Sequence, residues 1–169
     1  DAYDWDFCQI QYNYMDEHSQ AGRKGLHHAN AKGIPVIIME PLRGGRLVNM
    51  LPQPVKELFA AYPVKRSPAE WGLRWLWDQE AVTVVLSGMS NMEQMQENVA
   101  FMKNFKPLTY AEEQMVERVR AIYQVQSRIP CTGCKYCVDG CYGKIDIPKV
   151  FARMNDILEG KEGAREAYD

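Results

Sequence analysis

The sequence predicts an α/β fold followed by a separate, cysteine-bearing helical segment, and three observations predict it. Short β-branched runs alternate with helix patterns up to Pro107, the rhythm of a parallel sheet with covering helices. Beyond Pro107 the strand patterns stop and only helix patterns remain. Four of the five cysteines then fall within one stretch, Cys131 to Cys141.

Residues 7–12 alternate in polarity as a strand does. After a polar turn, Ala21 to Lys32 carries helix formers and stops at Gly33. Ile34 to Met39 is a continuous apolar run, expected to be a strand buried on both faces, and Pro41, Gly44 and Gly45 break it into a loop. A short helix is expected over Val55 to Tyr62. Ser67, Pro68 and Glu70 then open a longer one, with serine as cap, proline at the first helical position and glutamate closing a capping box. Its Trp71, Trp75 and Leu76 recur at helical spacing and read as core. Ala81 to Leu86 is expected to be a third buried strand, ending at Gly88, and Ser90 to Glu93 a capping box opening a helix to about Lys103.

Thr109 to Glu112 caps a helix expected to run to about Gln126. The cysteines follow Pro130, Pro148 starts a last amphipathic helix, and the charged tail from Glu159 is expected to fray. The change of pattern divides the chain into residues 1–106 and 107–169.

The composition, 46% hydrophobic and 25% charged, is that of an ordinary globular protein. A net charge of -2 leaves no basic footprint for nucleic acid. No apolar run reaches the ~18–20 residues that cross a bilayer. An odd cysteine count with four clustered is not a secreted disulfide framework, and thiolate ligation suits a reducing cytoplasm. Cys8, inside an apolar run, reads as a bystander thiol. The first residue is Asp1 and a strand pattern follows closely, so a fragment is expected.

Cys131, Cys134, Cys137 and Cys141 follow the spacing C-x2-C-x2-C-x3-C, the ferredoxin-type run that holds a 4Fe-4S cluster. Gly133 and Gly140 let the backbone wrap so that thiolates converge. Zinc competes, since four thiolates also satisfy a tetrahedral site, but its sites usually pair two cysteine knuckles across a longer spacer. A metal-free thiol cluster is the third alternative.

Several stretches together resemble the aldo/keto reductase family, in the branch with a ferredoxin-like tail. Cys8 to Asn13 is similar to its sixth barrel strand. Gly33 to Gly45 is similar to the seventh strand and following loop. Ser67 to Leu76, then Gly88 to Asn98, resemble the helix before the eighth strand, the end of that strand and the helix after it. Cys131 to Cys141, with Ile145 to Pro148, matches the tail motif.

The resemblance implies a (β/α)8 barrel of which this chain carries about strands six to eight, followed by a small helical iron–sulfur segment. It implies a nicotinamide-dependent oxidoreductase that passes hydride to or from a carbonyl or alcohol carbon. The family's Asp, Tyr, Lys and His catalytic group belongs to the first half of the barrel, so no catalytic residue is assigned and the chain alone is expected to be inactive. Tyr12, His27 and His28 are not substitutes, and the two histidines read as a solvated helix face.

For the cofactor, NADP or NAD, the resemblance assigns Gln9 to the carboxamide and Met39 to the nicotinamide face. It assigns Leu42, Arg43 and Gly44 to the pyrophosphate, with free N–H groups near Ser90 for a phosphate. Glu97 and Asn98 fall on the adenine side, and Gln94 by the adenosine 2′ position. Gly88 and Gln94 stand uncharged where many relatives place lysine and arginine around a 2′-phosphate. Relatives of this branch carry a second cysteine run, so Cys141 serves either the same cluster or another. Tyr142 stands where such runs usually place proline.

The expected partners are a small carbonyl or alcohol substrate and an electron-transfer partner. Self-association through uncovered strand edges, or rearrangement away from barrel geometry, is the further expectation. A function of a different class rests on the tail alone: an iron–sulfur electron-transfer or interaction module, or a zinc-stapled structural domain.

Overall fold

The computed structural model describes residues 3–125, 129, 131, 133–158 and 161–166. The expected helix end at Gln126, Pro130 ahead of the cysteines and the start of the tail at Glu159 lie outside the described residues. The chain divides into two compact units, Asp1–Arg120 and Ala121–Asp169.

The first unit is built on a parallel three-stranded sheet of β1 (Cys8–Gln11), β2 (Val36–Met39) and β3 (Val84–Val85), in that spatial order. Cys8 to Gln11 pair in register with Val36 to Met39, and Ile37 and Ile38 with Val84 and Val85. The crossover from β1 to β2 is α1 (Gly22–Ala31). Gly33, at φ +70°, turns the chain out of α1, a conformation glycine adopts without strain. α2 (Arg46–Asn49), α3 (Gln53–Ala61) and α4 (Pro68–Trp77) connect β2 to β3, and α5 (Met92–Lys103) and α6 (Tyr110–Val125) follow, α6 ending in the second unit.

The sheet is not buried on both faces as its apolar sequence suggests. In β2, Val36 and Ile38 are sealed while Ile37 is half-buried and Met39 is 36% exposed. β3 is shorter than expected and lies at the sheet edge, with Val84 44% exposed. Its two paired residues are flanked by bonds from the Thr83 N–H to the Val36 carbonyl and from the Leu86 N–H to the Ile38 carbonyl. A strand partnered on one side only cannot have the burial of a central one.

The core lies between the sheet and α4. Trp71, Leu73 and Leu76 are sealed and Trp75 nearly so; Trp71 stacks on Phe59 at 5.6 Å, and Trp75 packs against Tyr12 in a tilted arrangement at 5.2 Å. Arg74 is buried too. Its guanidinium meets Glu70 at 2.7 Å and donates to the carbonyls of Asn104 and Lys106, tying α4 to the end of α5. Glu17, equally buried, is paired with both Arg23 and Arg120. No sequence pattern signalled this pair of ion contacts.

The helix starts test the capping chemistry. Thr109 and Glu112 form the full reciprocal box: the Thr109 N–H donates to the Glu112 carboxylate at 2.8 Å and the Glu112 N–H to the Thr109 hydroxyl at 3.4 Å. Ser67 accepts from the Glu70 N–H at 3.1 Å, but Glu70 turns its carboxylate to Arg74 and Arg66 instead of closing the box. The third box is displaced by one residue. Asn91, not Ser90, caps α5, accepting from the Gln94 N–H at 2.9 Å.

In the second unit, α7 (Tyr136–Asp139) is a single turn inside the cysteine run and α8 (Ile147–Leu158) is the expected last helix. The Asn155 side chain brackets Ile129, accepting from its N–H at 2.7 Å and donating to its carbonyl at 3.0 Å. Among the described residues, no helix is long and apolar enough to cross a membrane.

Candidate functional site

Parallel strands leave their C-terminal ends on one side of the sheet, where the connecting loops gather. Here the loop after β2 and the connection from β3 to α5 face each other across a cleft of about 560 Å³. Met39 closes β2, and Glu40, Pro41, Leu42, Gly44 and Gly45 form the first rim, backed by Val48 and Asn49. Leu86 to Ser90 form the second rim, continued by Gln94, Glu97 and Asn98 on α5.

The loop after β2 is held in an uncommon backbone shape. Glu40 and Arg43, which lack glycine's freedom, take φ values of 56° and 54°. Such positions persist only where surroundings impose them. Asn13 does this from the end of β1: its amide donates to the Glu40 carbonyl at 3.0 Å and to Asp16 at 3.0 Å. Its own carbonyl accepts from the N–H groups of Met15 and Asp16. Gly72 of α4 lets the helix approach the same loop, since a Cβ there would stand 2.7 Å from the Leu42 side chain.

Seven of the nine residues assigned to a dinucleotide from sequence line this one cleft: Met39, Leu42, Gly44, Ser90, Gln94, Glu97 and Asn98. Gln9 stands beside it, its amide donating to the Met39 sulfur at 3.3 Å across adjacent strands. Arg43 is not among the lining residues; its guanidinium pairs with Asp16 at 3.2 Å. The expected free N–H at Ser90 is also taken, since it donates to the Gln94 side-chain carbonyl at 2.9 Å. Ser87 was missed by sequence reasoning. It accepts from the Asn98 amide at 3.0 Å and so joins the end of β3 to α5; a serine just past a strand end, ahead of Gly88, is the available signal.

Tyr12 is fully buried, and burial raises its phenol above the usual value despite the opposing Arg23 and Arg120 charges. His27 and His28 are exposed on α1, away from the cleft lining. Cys8 is half-buried, and burial pushes its thiol up.

All four clustered cysteines are thiols, with Cys131 and Cys141 half-buried and Cys134 and Cys137 exposed. Backbone N–H groups already point at two of the sulfurs: that of Gly133 lies 3.4 Å from Cys131 Sγ and that of Ile145 lies 3.4 Å from Cys141 Sγ. Gly133 and Lys135, at φ 72° and 63°, wind the chain between the cysteines. Among the described residues, no three His, Cys, Asp or Glu side chains are gathered closely enough to hold a metal ion.

The family model for the aldo/keto reductases matches residues 1–123. Among solved structures, the chain is similar to the apo form of aldo-keto reductase AKR11C1 from Bacillus halodurans, with a TM-score of 0.55 at 22% identity over 70% of this chain and 44% of that one. The holo form of the same protein gives 0.51 at 23% identity, over 66% and 41%. Likeness at this identity shows a shared fold, and the chain spans less than half the length of these structures. None of the curated proteins matches the chain.

Proposed function

The chain belongs to the aldo/keto reductase family, and on that premise we propose that it is the C-terminal part of a nicotinamide-dependent oxidoreductase with an iron–sulfur tail. Residues 1–106 are the partial barrel and 107–169 the helical cysteine segment. The whole enzyme acts in the cytoplasm on a small carbonyl or alcohol. The observation that carries the reading is the convergence of seven sequence-assigned residues on one cleft at the strand ends.

A bound nicotinamide supplies the hydride, or accepts it. The residues of this chain bind and orient. Gln9 offers a donor and an acceptor suited to a carboxamide. Met39 supplies a polarizable thioether for the ring face, and Gln9 already holds its sulfur. Leu42 and Gly44 bring the loop to the dinucleotide, with Arg43 behind them on Asp16. Ser90, Gln94, Glu97 and Asn98 form the α5 wall. The general acid comes from outside this chain, so the chain alone turns over no substrate.

Titrating the full chain with NADH and NADPH, read by nucleotide fluorescence, tests the reading. Binding by at least one is expected, and binding by neither rejects it.

Cys131, Cys134, Cys137 and Cys141 fit a 4Fe-4S cluster by donor chemistry, and the N–H groups on two sulfurs are of the kind that tune such clusters. Holding it requires the thiols to draw together from the positions described above. A cluster held by these cysteines would supply single-electron chemistry toward a redox partner, or would anchor the tail. Iron and acid-labile sulfide in anaerobically prepared protein are expected. Zinc without iron would make the tail a structural staple, and a dithionite-bleached visible band without nucleotide binding would favour an electron-transfer module.

A further inference from the structure

We propose that Asn155 of α8 is a positioning residue for the cysteine run, fixing where Cys131 enters it so that the thiols close on an inorganic centre. The proposal rests on reading the tail as an iron–sulfur segment.

One helix backs the whole run. At its start, Asn155 takes both backbone groups of Ile129, accepting from the N–H at 2.7 Å and donating to the carbonyl at 3.0 Å. That carbonyl also accepts from the Cys131 N–H at 2.9 Å, so the first cysteine is referred to α8 through a single oxygen. In the middle, α7, which carries Cys137, packs against α8. At the end, the Ile145 N–H lies on Cys141 Sγ, and Asp146 then caps α8, its carboxylate accepting from the Lys149 N–H at 3.3 Å.

An asparagine suits this task because its side chain is an amide, with the same donor and acceptor as the backbone groups it pairs with. The burial of the thiols follows the tethers. Cys131 and Cys141, beside the two fixed ends, are half-buried, whereas Cys134 and Cys137 between them are exposed. Drawing four ligands together costs chain entropy, and the cost falls when the ends of the segment are already fixed on a rigid element. Groups that hold metal ligands from behind typically carry about ten- to a hundredfold of a site's affinity. Asn155 acts through Ile129 and belongs at the low end of that range.

The test reconstitutes the full chain anaerobically with ferrous iron and sulfide, then times the loss of visible absorbance to a ferrous chelator. Wild type, Asn155→Ala and Asn155→Asp are compared. Aspartate keeps the size of the side chain and the acceptor for the Ile129 N–H, but sets a second acceptor against the Ile129 carbonyl. It therefore breaks the bracket even where alanine loosens the helix. Both variants are expected to lose the absorbance roughly tenfold faster. In the metal-free chain, alkylation read by peptide mass spectrometry is expected to quicken several-fold at Cys131 and to stay unchanged at Cys134 and Cys137. Asp156→Ala removes the neighbouring pair with Lys161 and serves as the control for helix stability; it is expected to change neither readout. Unaltered loss rates in both Asn155 variants overturn the inference while leaving the iron–sulfur reading intact. Equal effects from Asp156→Ala, or alkylation raised alike at all four cysteines, mark loss of the helix rather than of a positioning contact, and overturn it too. A wild type that takes up no iron and sulfide overturns the iron–sulfur reading and the inference with it.

Discussion

Asn13 concentrates more consequence than any other polar residue of the first unit. It is fully buried, uses both ends of its amide, and joins the loops that follow β1 and β2. Asn13→Ala leaves the buried N–H groups and the Asp16 carboxylate short of partners, at a cost of about 2–3 kcal/mol. Urea denaturation would show this as a lower midpoint, and an unchanged midpoint would contradict it. Glu112 offers a pH-dependent counterpart. Desolvation pushes its carboxyl up, yet the Thr109 N–H, the Thr109 hydroxyl and the Arg66 charge together hold it below the ordinary glutamate value. A depressed folded-state value stabilises the native form fully above the unfolded value, about 4.3, and that contribution is lost as pH falls through the folded value. Glu112→Gln is therefore expected to flatten the acid side of the stability profile, measured by thermal midpoint between neutral pH and mildly acidic buffer.

At the scale of elements, α4 and the loop after β2 are coupled through Gly72. Alanine there gains helix propensity of roughly 0.5–1 kcal/mol, but its Cβ would meet Leu42 at 2.7 Å and push that side chain toward the cleft it lines. Gly72→Ala is expected to leave the thermal midpoint nearly unchanged while weakening NADH binding several-fold. A large loss of stability with unaltered binding would contradict this. The helices themselves were legible in sequence because caps and periodicity are local. α1, α4, α5 and α8 fall within a residue or two of expectation, and the tryptophans of α4 are core. The short α2 and α7 were not legible, since four-residue turns carry no periodicity. The displaced cap of α5 shows the limit of a spacing rule. Ser90-to-Glu93 and Asn91-to-Gln94 both satisfy it, and only the backbone decides between them.

For the whole molecule, the strands were placed correctly but their burial was not, because an apolar run does not say whether its neighbours are present. Val84 and Leu86 are 44% and 45% exposed at one edge of the sheet and Phe7 is 54% exposed beside the other. Uncovered edges with apolar side chains template pairing between chains, so the mass of the purified chain is expected to rise with concentration in light scattering. A monodisperse monomer at all concentrations would contradict this. The cleft was legible to the extent that motif residues lie close in sequence to strand ends: Met39, Leu42 and Gly44 on one rim and Gln94, Glu97 and Asn98 on the other. Arg43 turned elsewhere because Asp16, which no spacing rule connects with it, offers a carboxylate at 3.2 Å. The cysteine spacing was plain in the sequence, whereas convergence of the thiols is a matter of three dimensions that spacing cannot supply.

The α5 wall has a consequence of its own. None of its residues is buried, and Met92, Met95, Val99 and Met102 all stand open to water. A helix with so little enclosed surface owes its persistence to its cap and to the few groups it touches, and its amide protons should trade with deuterated solvent early. Any molecule spanning from the β2 loop to Glu97 would lend it the contacts it lacks, and mass action would convert that occupancy into slower exchange along the helix. Deuterium uptake of this one segment, with and without nucleotide, thus becomes a direct gauge of whether the cleft is filled.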